Sequence, residues 1–171
     1  MNTSNQITIA GSDLVLLICR LSIGATIAAH GWNKIFGGGR IKGTSRWFQS
    51  IGMKPGTFNA WMAALSEIFC GLLLCLGFLT SFAASGVIGI MIVAGWTVHK
   101  NKGFFIIKEG WEYVFILSIV SLTIAVIGPG NWSLDHVLEI SDDFIGWNGF
   151  WIAGGLGISA GLLQLSLFFR P

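Results

Sequence analysis

Charge is scarce in this chain: Asp, Glu, Lys and Arg make up 11% of its 171 residues, and the formal net charge is +2. Cations this sparse exclude an extended nucleic-acid interface, which requires a dense basic face. Cysteine is scarce as well. Cys19, Cys70 and Cys75 all lie in apolar stretches and none has Cys-x-x-Cys spacing. That excludes a disulfide scaffold and the cysteine sets that hold zinc or iron–sulfur clusters, so no metal ligands are assigned. Cys70 and Cys75 sit about 140° apart around one helix and cannot bridge each other. Neither a flavin motif nor a histidine pair at a depth suited to haem is present, and no covalently bound cofactor is expected. The run Gly37, Gly38, Gly39 lacks both the preceding strand and the following Gly-Lys-Ser/Thr of a phosphate cradle. Residues 1–12 carry no Lys or Arg and the positive charge follows the first apolar run, which argues against a cleaved signal peptide.

What the chain has is hydrophobicity in blocks. Hydrophobic residues make up 53% and the mean hydropathy is +0.74, more than a soluble domain of this length can hide. The blocks run over about 14–36, 60–79, 82–98, 113–127 and 147–169, most of them long enough for a hydrocarbon core about 30 Å thick. Lipid gives backbone groups no hydrogen-bond partner, so the segments are expected to be helices of one membrane domain, 1–171, with the bilayer as its first partner. Nine of the ten Lys and Arg residues fall on alternate connections: Lys34, Arg40, Lys42, Arg46 and Lys54, then Lys100, Lys102 and Lys108, then Arg170. The tenth, Arg20, lies inside the first block. With the N-terminus outside, all nine reach one face and the C-terminus is cytoplasmic by the positive-inside rule. The connection from Gly128 to Gly146 falls on the other face and carries Asp135, Glu139, Asp142 and Asp143.

Between the blocks, residues 1–12 read as a polar outer tail. Residues 37–59 form a loop in which Trp47, Phe48, Ile51 and Met53 alternate with polar residues, the pattern of a short amphipathic segment on the inner interface. A tight turn near Thr80 and Ser81 makes the second and third helices a hairpin. Pro129 between two glycines ends the fourth helix, and Trp132, Trp147 and Trp151 fall where an interfacial aromatic belt belongs. Ala153, Gly157 and Gly161 form a small-residue ridge on the fifth helix. Such ridges allow close helix approach, so this one packs either on the other helices or on a second copy, giving a homo-oligomer.

Ionisable groups at mid-helix cost about 2.5–3.5 kcal/mol each on insertion scales, so the few present require a reason. Arg20, Gly24, Ile27, Gly31 and Lys34 form one stripe of the first helix, with His30 displaced from its edge. Ala60, Ala64, Glu67, Gly71 and Leu74 form a matching stripe of the second. Small residues let the two faces meet. At about 1.5 Å per residue, Glu67 lies about 10 Å and His30 about 6 Å from the inner boundary, with Lys34, His99, Glu112 and Tyr113 near it. Two accounts stay open for this cluster. It either pins helix register with satisfied polar groups, or forms a pocket where Glu67 and His30 move protons to or from a lipophilic or small redox substrate. Lys34, His99 and Glu112 also suit simple snorkelling to the interface. Arg20 is nearer the outer surface, with Asp135 its candidate partner. Cys19 and Cys75 lie at similar depth, as a redox pair or as two buried thiols.

Arg20-Leu-x-x-Gly24, His30-Gly-x-x-Lys34, Glu67-x-x-x-Gly71-x-x-Leu-x-x-Gly77, Glu112-Tyr113 and Gly128-Pro-Gly-x-x-Ser133-Leu-Asp135 follow one another over roughly Leu14 to Val137. In order and spacing they resemble the DoxX family of bacterial membrane proteins. The resemblance implies an all-α four-helix membrane bundle in the bacterial inner membrane, to which the run after Trp147 adds a C-terminal transmembrane helix. It also implies redox metabolism, since relatives include the small membrane subunit of thiosulfate:quinone oxidoreductase and some members are associated with thiol and oxidative-stress enzymes. The expectation is therefore a membrane component linking thiol or thiosulfate oxidation to quinone, with Glu67 and His30 as catalytic candidates. Arg20, Lys34, His99, Glu112, Tyr113 and Asp135 are the substrate-binding candidates. The alternatives are a non-enzymatic anchor for soluble redox enzymes on the basic face and a small-solute or proton-coupled transporter, although the broken-helix repeats of many carriers are missing.

Overall fold

A stretch of apolar residues with no water to bond its backbone must close its hydrogen bonds within the segment. The computed structural model, which describes the backbone of residues 3–171 and the side chains from residue 11 onward, does so with helices. They are α1 (Thr3–Phe36), α2 (Arg40–Ser50), α3 (Gly56–Leu76), α4 (Thr80–Ala94), α5 (Glu112–Ile127), α6 (Leu134–Val137), α7 (Gly146–Phe150) and α8 (Gly157–Phe168). A π-helical turn, Gly95–His99, carries α4 on toward Lys102, and another, Trp151–Leu156, joins α7 to α8. Among the described residues, four helical stretches are long and apolar enough to cross a membrane: Gly11–Phe36, Gly56–Leu76, Thr80–Lys102 and Gly146–Phe168. The remaining apolar helix, α5, has 16 residues and spans about 24 Å.

Several boundaries differ from the sequence reading. Residues 3–12 of the expected outer tail are already helical, and Met1 and Asn2 lie outside the described residues. The α3–α4 turn occupies residues 77–79, because Gly77 takes the left-handed conformation (φ 62°) that ends helices; Thr80 and Ser81 open α4. The amphipathic segment is the 11-residue α2, which begins upstream of Trp47 and buries Phe48.

α1 lies along α3, and the two small-residue stripes meet. A Cβ at Gly24 would stand 2.5 Å from the Gly71 carbonyl oxygen, and one at Gly31 would stand 2.5 Å from that of Ala64. Only glycine permits backbones this close. α4 packs on α3 and α5 around Leu74, Val87, Met91, Val114 and Leu117. α8 leans on the outside of α4, where Cβ atoms at Gly157 and Gly161 would reach the carbonyl oxygens of Ser85 at 2.7 Å and Gly89 at 3.0 Å. The ridge thus packs on α4 of the same chain. Large apolar side chains such as Phe69, Leu72, Ile116 and Leu163 point outward, exposed, as expected of a surface that faces hydrocarbon.

The two ends differ in charge. Met53 pairs with Phe169 in a single antiparallel bridge, the Arg170 amide donates to Gly52 O at 2.7 Å, and Lys100 Nζ lies 5.8 Å from the Phe169 ring centroid. The C-terminus, the α2–α3 loop and the end of α4 therefore share one end. The Thr44 hydroxyl donates to Lys34 O at 3.2 Å and ties α1 to the same end. At the opposite end the buried Asp13 accepts from the Asn131 backbone amide (2.8 Å) and side chain (2.9 Å).

Candidate functional site

At the basic end of the α1–α3 seam, Lys34 Nζ donates to both carboxylate oxygens of Glu67, at 2.7 Å to Oε1 and 2.5 Å to Oε2. The Glu67 side chain is 8% exposed and that of Lys34 19%, so the carboxylate is the enclosed member and the ammonium keeps a path to the polar boundary. Positions 67 and 34 face each other because Gly31 and Ala64, one turn away on each helix, are already in contact.

The pair forms part of the wall of a cavity of about 260 Å³ lined by Ile27, His30, His99, Tyr113 and the apolar side chains of Ile90 and Leu117 among others. Five of the six clustered candidates thus converge: Glu67, Lys34, His30, His99 and Tyr113. Glu112 does not. Its Oε2 accepts from the Ile106 amide at 2.9 Å and shapes the loop before α5, so its side chain completes a backbone turn rather than the cavity. His30 is exposed and also borders a second, more polar space of about 340 Å³ that Asn33, Gly38, Thr44 and Trp47 help to form. His99 closes the π-helical turn that ends α4, a device that redirects side chains at functional sites. Its Nδ1 lies 2.6 Å from Glu109 O. A carbonyl can only accept, so Nδ1 carries a proton and Nε2 is the ring nitrogen left to face other groups.

Arg20 and Asp135 lie at the other end, Arg20 about 21 Å from Lys34 along α1. Among the described residues they make no direct ion pair: they attract each other through space while each bonds other groups. Arg20, 1% exposed, donates from Nη2 to Trp132 O (2.5 Å) and from Nη1 to Cys75 O (3.3 Å) and Leu74 O (3.5 Å). Asp135 accepts from the Leu79 amide (2.7 Å), the Thr80 amide (2.9 Å) and the Thr80 hydroxyl (2.6 Å). Helix ends supply much of the reason: carbonyls in the last turn of α3, together with the loop carbonyl of Trp132, attract the cation, and α4 begins with orphan amides that attract an anion. The two charges clamp the α3–α4 turn from both sides, and neither side chain lines the cavity beside Glu67. All three cysteines are free thiols, with Cys75 Sγ 3.9 Å from Leu21 O.

Asp13, Ser66, Trp47 as a cavity wall, and Gln164 are structural contributors that no sequence motif singles out. Only Gln164 carried a visible signal, as the single amide side chain among the apolar residues of α8. Among the described residues no group of three or more His, Cys, Asp or Glu side chains is placed to hold a metal ion.

Fold and site together define an integral membrane helical bundle in which a largely enclosed Lys34–Glu67 ion pair borders an apolar cavity. The DoxX family pattern matches residues 15–100, and the chain belongs to the DoxX family. It is similar to inner membrane protein YqjF of Escherichia coli (strain K12), 27% identical over 74% of this chain and 94% of the relative. An uncharacterized membrane protein of Mycobacterium tuberculosis is 30% identical over 72% of this chain and 81% of its own length. An uncharacterized protein of Haemophilus influenzae is 26% identical over 75% and 86%. No solved structure matches the chain.

Proposed function

We propose that this chain is the membrane component of a bacterial redox system, passing reducing equivalents from a thiol or thiosulfate donor to quinone, with the quinone ring beside Lys34 and Glu67. The observation that carries the reading is the Lys34–Glu67 pair on the wall of an apolar cavity. At about 260 Å³ the cavity lies just under the roughly 300–1,000 Å³ of small-molecule sites, which suits a substituted ring whose tail remains outside. Apolar walls with a few convergent polar groups also fit a neutral ring bearing two carbonyl oxygens.

The overall change balances as quinone plus two thiols giving quinol plus one disulfide, the thiols supplying both electrons and both protons. A bound quinone supplies the two-electron acceptor. Lys34 donates hydrogen bonds and places positive charge where a carbonyl oxygen gains electron density. The Glu67 carboxylate, ionised beside Lys34 at rest, takes up and releases a proton during turnover, with His30, which borders the polar space on the basic end, as the exchange route. His99 Nε2 and the Tyr113 hydroxyl are further hydrogen-bonding groups on the far wall.

The second reading, a membrane anchor for soluble redox enzymes, is favoured by the exposed Arg40, Lys42, Arg46, Lys54 and Lys108, none ion-paired among the described residues. Such a face suits an acidic partner. The same cations, at the end that carries the C-terminus, support a cytoplasmic C-terminus and an N-terminus outside. Purification in native lipid followed by mass spectrometry distinguishes the two readings. Bound quinone in wild type, lost in Glu67→Gln, is the expected result. An acidic partner that co-purifies with wild type and Glu67→Gln alike, without quinone, would replace the first reading by the second.

A further inference from the structure

One wall of the ion-pair site comes from α8, outside the segment that matches the family pattern. Gln164 shares a small space of about 80 Å³ with Lys34, Glu67, Ser66 and Ile90. Ser66, Ile90 and Gln164 also line a larger crevice of about 380 Å³ between α3, α4 and α8, so the two spaces adjoin at these side chains. Gly86 and Gly89 border the crevice, and Leu163 and Leu167, both exposed, line its rim. The lining therefore runs from the hydrocarbon-facing surface to the ion pair.

Gln164 is half-buried and makes no hydrogen bond among the described residues. An amide without a partner inside a membrane span is costly, and a polar ligand group in the adjoining space would satisfy it. Charge also selects the occupant of the inner end: Glu67 already neutralises Lys34, so an anionic group beside the pair would meet a carboxylate, whereas a neutral ring would not.

We propose that the crevice between α3, α4 and α8 seats the isoprenoid tail of the quinone, which reaches the Lys34–Glu67 pair past the small space at Gln164, and that Gln164 donates a hydrogen bond to the ring oxygen on its own side of that pair. This rests on the quinone reading above and adds the lateral route by which a lipid-dissolved substrate reaches the site. α8 thereby acts as one side of a portal, and its glycine ridge on α4 sets the width of the opening.

The test measures binding of a decyl-tailed benzoquinone and its tail-less parent to the full chain in phosphatidylcholine nanodiscs. Ala160 lines the crevice and is exposed, so Ala160→Trp fills the crevice without entering the core. Ala160→Trp is expected to weaken the tailed quinone at least about tenfold, or about 1.4 kcal/mol, and to leave the tail-less one unchanged. Gln164→Leu should weaken both without lowering thermal stability in detergent. If Ala160→Trp leaves both affinities at the wild-type value, the tail seat is wrong while the ring site stands. If neither quinone binds wild type, the ring site and the seat fall together. Loss of a co-purifying phospholipid from Ala160→Trp, with quinone binding intact, overturns the seat by assigning the crevice to bulk lipid. A Gln164→Leu protein that is less stable but binds normally removes Gln164 from ligand contact.

Discussion

Replacing Glu67 by Gln keeps the shape of the side chain and one acceptor oxygen while removing the charge that Lys34 Nζ meets at 2.5 and 2.7 Å. Breaking a fully buried pair costs about 3–5 kcal/mol because the surviving charge is stranded. Lys34 is not fully buried; its 19% exposure lets the ammonium turn toward the polar boundary. The expected loss is therefore nearer about 1–3 kcal/mol, or roughly 4–8 °C in thermal midpoint for about 2 kcal/mol in a chain of this size. Lys34→Met combined with Glu67→Leu removes both charges, and apolar replacements of buried pairs are often neutral or stabilising. The double variant should therefore recover most of the lost stability. Turnover separates register pinning from chemistry: both variants should lack quinone-linked turnover, measured by quinol absorbance with a thiol donor in proteoliposomes. A stable double variant with full turnover would refute the catalytic assignment and leave the pair as a helix-register pin.

Gly77→Ala places a Cβ against the Arg20 guanidinium and strains a residue at φ 62°; a loss of about 1–3 kcal/mol is expected, and chemical denaturation within experimental error of wild type would contradict the clamp at the α3–α4 turn. In the exposed loop before α5, the Lys102 ammonium hydrogen-bonded to Glu109 holds that carboxyl below the ordinary carboxylate range. A lowered folded value contributes stability above that range and loses it as pH falls through the lowered value, so hydrogen-exchange protection of the Gly110 amide, bonded to Phe105 O, should drop only at acid pH. The same acid drop in Lys102→Gln would show that this pair is not its cause. A reporter fused after Pro171 should be active only in the cytoplasm; periplasmic activity would reverse the orientation.

The helices and their membrane setting were legible residue by residue, because lipid imposes its demand on each segment separately: enough apolar length, backbone bonds closed within the helix, cations kept to one side. The α1 and α3 stripes were legible for a similar reason. Gly24, Gly31 and Gly71 recur at helical spacing, and that spacing brings positions 34 and 67 to one seam. Partner choice was not legible. Arg20 and Asp135 carry opposite charges at similar depth, yet each turns to a helix end, because where α3 stops at Gly77 decides which carbonyls and amides are left unbonded. Glu112 could be placed near the site from its position, but only the folded loop brings the Ile106 amide to it. Gln164 and Trp47 are distant from Glu67 in sequence and share cavity walls with it only once α8 has docked on α4 and α2 has folded under α3. Local rules thus set each segment's structure and depth, whereas hydrogen bonds and cavities between segments depend on which unsatisfied groups the packing brings within about 3 Å.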